Sequence, residues 1–234
     1  MDRRLKNMLK PVYQAFELLI SGDREVYHIA LTSLKLASVS LFICTLVSLP
    51  LGVFLGLKNI RGKRFIIALL NSLMALPTVV IGLIVYSLLS RSGPLGRYSL
   101  LFTPQAVIIG LSIFSFPIVT SLVYGGLSNL DPRLYETLVT LGASRRGIFW
   151  MTLKEARVAI LSAILAGFGR VIGEIGVSMM LGGNIRWYTR TLTTAIALET
   201  SKGEFEMALA LGIILMLIAL TVNFALHWMV KHGS

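Results

Sequence analysis

The sequence predicts an all-α membrane protein, with five membrane-crossing helices and one long charged loop on the face that also carries the C-terminus. Three observations carry this. Of 234 residues, 55% are hydrophobic and only 14% charged, with a mean hydropathy of +0.79; one soluble core of this size does not use so much apolar side chain. The apolar residues gather in five runs, approximately 28–57, 65–89, 106–127, 156–181 and 206–230, each long enough for a hydrocarbon core that takes about 20 helical residues. Between the third and fourth runs stands YETLVTLGASRRGIFW, residues 135–150, a charged and glycine-centred stretch of helix formers.

The first element is a segment over residues 1–27. Its basic head is that of a signal peptide, but Pro11 and Glu17 interrupt the apolar part and no small-residue cleavage site follows, so it is expected to stay on the protein. Val12, Phe16, Leu19 and Ile20 fall at helical spacing, which predicts a short amphipathic helix at the membrane surface. Residues 28–234 then form a single membrane domain without internal repeats. The first run is overlong and must tilt or project. Pro50, Pro77 and Pro117 lie inside runs, where each kinks a helix and frees a carbonyl that neighbouring helices must satisfy. A bundle follows, not isolated spans.

Five crossings put the termini on opposite sides, and the loops at 58–64 and 128–155 share a face with the C-terminus. Of the 22 Lys and Arg, Lys35 and Arg170 lie within spans and the others divide ten to each face. Charges more than about 15–20 residues from a span count little. Discounting the four at the N-terminus makes the C-terminal face the cytoplasmic one.

Composition also excludes classes. The net charge of +11 sits in short clusters beside apolar runs, with no aromatic-interleaved basic face for nucleic acid. Cys44 is a single cysteine inside a run, and His28, His227 and His232 lack ligand spacing, so neither a disulfide nor a metal site is expected. No cofactor is expected either. RGKRF at 61–65 lacks the first glycine and the hydroxyl residue of a phosphate loop, so this chain does not hydrolyse nucleotide by itself. A membrane-embedded phosphotransferase would need a carboxylate or histidine cluster, whereas Glu174 stands in the spans with only Glu206 at an edge. A channel or gradient-driven carrier would have no use for a docking protrusion.

The loop 131–155 is that protrusion. Asp131 can accept from orphan backbone donors and Pro132 suits the first helical position. Leu134, Leu138 and Leu141 follow on one face, with Glu136 expected in the first turn, where a carboxylate suits the helix dipole. Gly142 is placed to end this helix in a left-handed conformation, and Ser144 to cap a second helix through IFWMTL. On these grounds alone the segment is either a helix-turn-helix knuckle or an ordinary surface loop of helical character.

Glu136 followed by LGASRR and an aliphatic-aromatic run resembles the loop by which ABC importer permeases dock on their ATP-binding subunits. Thr137 and Leu138 replace its two alanines, and Met151–Lys154 replaces its closing Ile-x-Leu-Pro. More widely, NSLMALPTVVIGLIVYSLLSRSGPLG, GFGRVIGEIGVSMMLGGNIR and TRTLTTAIALETSKGEFEMALALG resemble the tungstate branch of the molybdate/tungstate/sulfate permease family. The resemblance implies a type I ABC importer permease: a homodimer in the inner membrane, two ATPase subunits on the cytoplasmic face and an extracytoplasmic protein that delivers the oxyanion. It also implies an outward N-terminus and assigns Asp131, Glu136, Gly142, Ala143, Ser144 and Arg145 to ATPase coupling.

Polar groups elsewhere read against that cargo. Arg170 and Glu174, four residues apart, share a helix face and must meet protein or water. They are either part of the translocation path or a structural ion pair, with Lys35 as a possible third member. Gly169 and Gly173 make a GxxxG that permits close packing, and Pro77 and Pro117 either shape the pore or merely kink helices. Between the last two runs, Asn184, Arg186, Arg190, Thr191, Thr193 and Thr194 form either an external mouth of donors and cations suited to a tetrahedral oxyanion or a solvated loop.

Overall fold

The computed structural model describes the backbone of residues 3–58 and 60–233, and their side chains apart from 3–10, 132, 135, 145, 232 and 233. Among the described residues eleven α-helices follow in order: α1 (Arg3–Ile20), α2 (Arg24–Leu57), α3 (Lys63–Met74), α4 (Thr78–Leu89), α5 (Pro104–Ser128), α6 (Pro132–Thr140), α7 (Arg145–Glu155), α8 (Arg157–Ile172), α9 (Gly176–Gly182), α10 (Leu192–Lys202) and α11 (Phe205–Gly233). α2, α5 and α11 are each long and apolar enough to cross a bilayer alone. The pairs α3–α4 and α8–α9 reach that length only together, bent by 97° and 59°. Counting each bent pair as one crossing gives five.

The two bends have different causes. At the first, Pro77 supplies no N–H, disfavours a helical Leu76 before it and takes extended backbone (ψ 129°) at the start of α4. At the second, residues 173–175 leave the helical path without any proline. Pro50 and Pro117, by contrast, stay inside continuous helices, so a proline in a run predicts a lost hydrogen bond but not the angle that results.

α2 starts at Arg24 because Asp23 caps it, its carboxylate accepting from the N–H groups of Glu25 (2.9 Å) and Val26 (3.0 Å). α2 therefore starts four residues before the expected division at 27/28. α1 packs against α11, burying Ala15 while Tyr13, Phe16 and Ile20 stay exposed; Leu19 turns inward, onto the cluster of α2, α10 and α11 residues.

α5 is the central post. Its Leu111, Phe114 and Ile118 pack with Val85 of α4, Val171 of α8 and Leu181 of α9. Its Val119, Val123 and Leu127 pack with Leu41 and Val53 of α2 and Ile160 of α8. The α2–α5 approach is set by glycine: a Cβ on Gly52 would lie 2.8 Å from Val123, and one on Gly56 2.7 Å from Leu127. With 61% of its most apolar window buried against 11% for α11, α5 is enclosed by protein, whereas α11 presents Met216, Leu217 and Phe224 outward as a lipid-facing helix does.

Candidate functional site

The knuckle between α5 and α8 forms from its own local chemistry. The Asp131 carboxylate accepts from the Arg133 N–H (2.9 Å) and opens α6. At the other end the Gly142 N–H donates to the Val139 carbonyl and the Ala143 N–H to the Leu138 carbonyl, both at 3.0 Å. This double closure needs a left-handed residue, and Gly142 supplies it at φ 72°. Ser144 then caps α7, its hydroxyl accepting from the Gly147 N–H at 3.1 Å.

Two details differ from the sequence reading. α6 begins at Pro132, so Glu136 is its fifth residue and no acidic residue occupies the first turn; its charge lies beyond the reach expected of the dipole. The leucine face also splits. Leu138 is buried, but Leu141 is 77% exposed beside the turn, and Val139, Trp150 and Met151 of the same knuckle are exposed too. Glu136 is exposed as well. The side chain of Arg145 lies outside the described residues.

In the bend between α8 and α9, Glu174 is buried at 7% exposure and its Oε1 accepts from the Val177 N–H at 3.1 Å. It thus satisfies a backbone donor freed by the interrupted helix. The Thr193 hydroxyl donates to the Glu174 carbonyl (2.9 Å) and ties α10 to the same bend. Arg170 points elsewhere. It is exposed, its guanidinium lies 5.8 Å from the centre of the Phe114 ring, and among the described residues neither it nor Lys35 makes an ion pair with Glu174. The expected structural ion pair is absent in the single chain because the break turns its two members apart. Lys35 is exposed on α2. Gly169 has no atom within 4 Å of a Cβ built on it, and Gly173 meets only the Gly169 carbonyl at 3.6 Å, so within the chain the GxxxG packs against no other helix.

At the opposite end of the bundle, the residues expected to form an anion mouth are engaged with one another. Arg186 makes a two-pronged pair with Glu25 of α2, and Arg190 lies 3.1 Å from Glu25 and 3.8 Å from Glu199. The Glu25 carboxylate, by hydrogen bond and then by charge, raises the Arg186 pKa above its already high ordinary value. Thr191 and Thr194 form a capping box that opens α10, and Asn184, in left-handed backbone (φ 52°), donates to the Thr194 carbonyl at 3.2 Å. Trp187, also left-handed, stacks edge-on with His28. These contacts order the loop around a cavity of about 390 Å³, in which the carboxylates of Glu25 and Glu199 offset much of the charge of Arg186, Arg190 and Lys202.

Residues 48–232 match the family described as the inner membrane component of binding-protein-dependent transport systems. The chain belongs to that family. It is 38% identical over 213 residues to the tungstate uptake system permease protein TupB of Peptoclostridium acidaminophilum, covering 91% of this chain and 93% of the relative. It is 39% identical to the TupB protein of Campylobacter jejuni, over 92% of this chain and 90% of that one. The molybdenum transport system permease protein ModB of Haemophilus influenzae is more distant, at 31% over 79% of this chain and 86% of that protein. In three dimensions the chain resembles a chain of the MetNI methionine ABC transporter in an inward-facing conformation, with a TM-score of 0.71 over 93% of this chain and 98% of that one. At 19% identity this speaks for the fold alone.

The matched region of this binding-protein-dependent transport component takes in the knuckle and both broken spans. Glu25 and Glu199 are the two residues that sequence reasoning missed. Glu25 falls in the segment set aside as a surface helix, 161 residues from Arg186. A carboxylate next to the cap of the first span was the available signal; its partner was not readable from spacing.

Proposed function

We propose that this protein is the membrane-spanning subunit of an ATP-driven importer that carries tungstate inward across the cytoplasmic membrane. The observation that carries the reading is the knuckle: a doubly capped helix-turn-helix with an exposed leucine at its turn, set between crossings of a transport-component fold, in a chain 38% and 39% identical to two proteins named for tungstate uptake. Its partners are a second copy of this chain, two ATPase subunits and an extracytoplasmic protein that delivers the anion. The knuckle face and the C-terminus lie in the cytoplasm and the N-terminus outside, in line with the discounted charge count.

Asp131, Gly142, Ala143 and Ser144 shape the knuckle; Glu136, Arg145 and exposed Leu141 contact the ATPase. ATP-driven closure of the two ATPases moves the knuckle as a rigid body, and the bundle changes the side to which it opens. The ion-paired loop at 183–191 holds the outer ends of α2, α9 and α10 in fixed relation. It is the bearing for the delivery protein, and anion capture is left to that protein.

The test is uptake by vesicles holding the purified complex, with ATP on the knuckle side and loaded delivery protein on the other. ATP-dependent tungstate accumulation, resistant to excess sulfate, is expected. Accumulation without ATP would refute the reading, and preferential accumulation of molybdate would move the assignment to the neighbouring substrate.

A further inference from the structure

The sequence left Arg170 between a path residue and half of an ion pair; the structure removes the ion pair from the single chain and leaves a cation to be accounted for. Arg170 is the fourteenth residue of α8, roughly 20 Å along the axis from Arg157 at about 1.5 Å per residue. That is farther than an arginine side chain reaches back toward the knuckle end of α8, so the charge does not snorkel to that face. The carboxylate four residues on is buried and caps Val177. Among the described residues the contact left to it is the Phe114 ring, which offers a face to the cation and no acceptor for its N–H groups.

The surroundings say where this cation looks. A groove of about 630 Å³ runs up α8 between α5 and α11, from Glu155 at the knuckle end past Ala159, Ser162 and Ala166. On a 100° helical net, Gly169, Arg170 and Gly173 fall within about 60° of the centre of that stripe and continue it upward. Two of the three have no side chain; the space above Gly169 is open, and a Cβ on Gly173 would meet only the Gly169 carbonyl at 3.6 Å. The groove therefore leads to a bare strip with one guanidinium at its edge, beside the point where the helix breaks. Its walls are mainly apolar, and its single carboxylate, Glu155, stands at the knuckle end.

We infer that Arg170 is the cationic station of the translocation path, the residue that the oxyanion meets in mid-membrane after leaving its delivery protein. This rests on the proposed import of an oxyanion. A guanidinium can hold two oxygens of a tetrahedral dianion at once, which supplies the countercharge missing within the chain. The groove beyond it offers no second cation, only the Ser162 hydroxyl as a neutral donor, and Glu155 repels the anion on its way out; passage needs a site strong enough to enter and weak enough to leave.

Two measurements on the reconstituted complex test this. The first compares the wild type with Arg170→Ala and Arg170→Lys, reading tungstate accumulated per ATP hydrolysed and the stimulation of ATPase by loaded delivery protein. The expected result is about a tenfold or larger loss of tungstate per ATP in Arg170→Ala, substantial recovery in Arg170→Lys, and stimulation within about twofold of wild type in both. Unchanged tungstate per ATP in Arg170→Ala would overturn the inference, and so would equal loss of transport and stimulation in both variants, which marks a structural role. A wild type that accumulates no tungstate would instead sink the import reading itself. The second places a cysteine at Gly169 in a Cys44→Ser background and applies an anionic, membrane-impermeant thiol reagent. Faster modification at 169 than at a lipid-facing Leu217→Cys control is expected, slowed by tungstate during turnover; reactivity no greater than the control would mean the strip faces lipid or packed protein.

Discussion

Replacing Gly142 by valine isolates the turn of the knuckle. Gly142 sits at φ 72°, and a Cβ built on it meets nothing within 4 Å, so the substitution introduces no clash and acts through backbone conformation alone. A side chain in the left-handed region costs about 1–2 kcal/mol, with a β-branched one at the upper end. At about 1.4 kcal/mol per factor of ten, the population of the native turn falls by roughly five- to thirtyfold relative to alternatives that open the hydrogen bonds from Gly142 to Val139 and from Ala143 to Leu138. Asparagine tolerates the same conformation, so Gly142→Asn is the matched control. The assay is retention of the ATPase on a permease affinity column, together with ATP-driven tungstate uptake. Gly142→Val should lose both in proportion while inserting normally, and Gly142→Asn should stay near wild type. Equal retention and uptake in the two variants would refute the argument that this left-handed turn shapes the docking surface.

Other outcomes follow from the packing and the charge network. In a thermal double-mutant cycle in detergent, Glu25 with Arg190 should show a larger coupling than Glu25 with Arg186. Arg190 is only 12% exposed where Arg186 is 59%, and removing Glu25 leaves a nearly buried guanidinium with Glu199 alone, a loss of up to about 3 kcal/mol. Because the Arg186 pKa is raised, whatever its charge contributes is fully present below the unfolded value and is lost only in strong alkali. The Tm difference between wild type and Arg186→Gln should therefore stay constant from about pH 6.5 to 9. Gly52→Ala should destabilise by about 1–3 kcal/mol because its Cβ would lie 2.8 Å from Val123. Gly125→Ala, with open space around it, should be neutral or raise Tm through helix propensity.

What the sequence disclosed and what it withheld divide along the range of the interactions. The knuckle was readable because Asp131, Gly142 and Ser144 act on backbone groups within five residues of themselves. The apolar runs were readable because a bilayer sets their length. The 97° bend was not, because Pro77 removes a donor without fixing an angle, and Pro50 and Pro117 do the same inside unbroken helices. Glu174 was read as an ion-pair partner because i, i+4 spacing assumes a continuous helix; the break at Gly173 turns it into a cap. Arg186 and Arg190 read as an anion mouth because Glu25 is brought to them only by the fold. The helix start at Pro132 was read correctly, but counting from it makes Glu136 the fifth residue and puts it past the first turn of α6, and Leu141 went to the exposed tip instead of the packed face.

The claim on which the account turns is that a separate ATPase grips the tip of this knuckle and moves it. A photo-crosslinker at position 141 in the assembled transporter, irradiated with and without ATP, tests it most directly. The account predicts a covalent product with the ATPase subunit whose yield changes with nucleotide, and none from a probe at exposed Leu95 on the opposite face. Crosslinks from position 141 to lipid alone, or to the ATPase no more than from position 95, would contradict it.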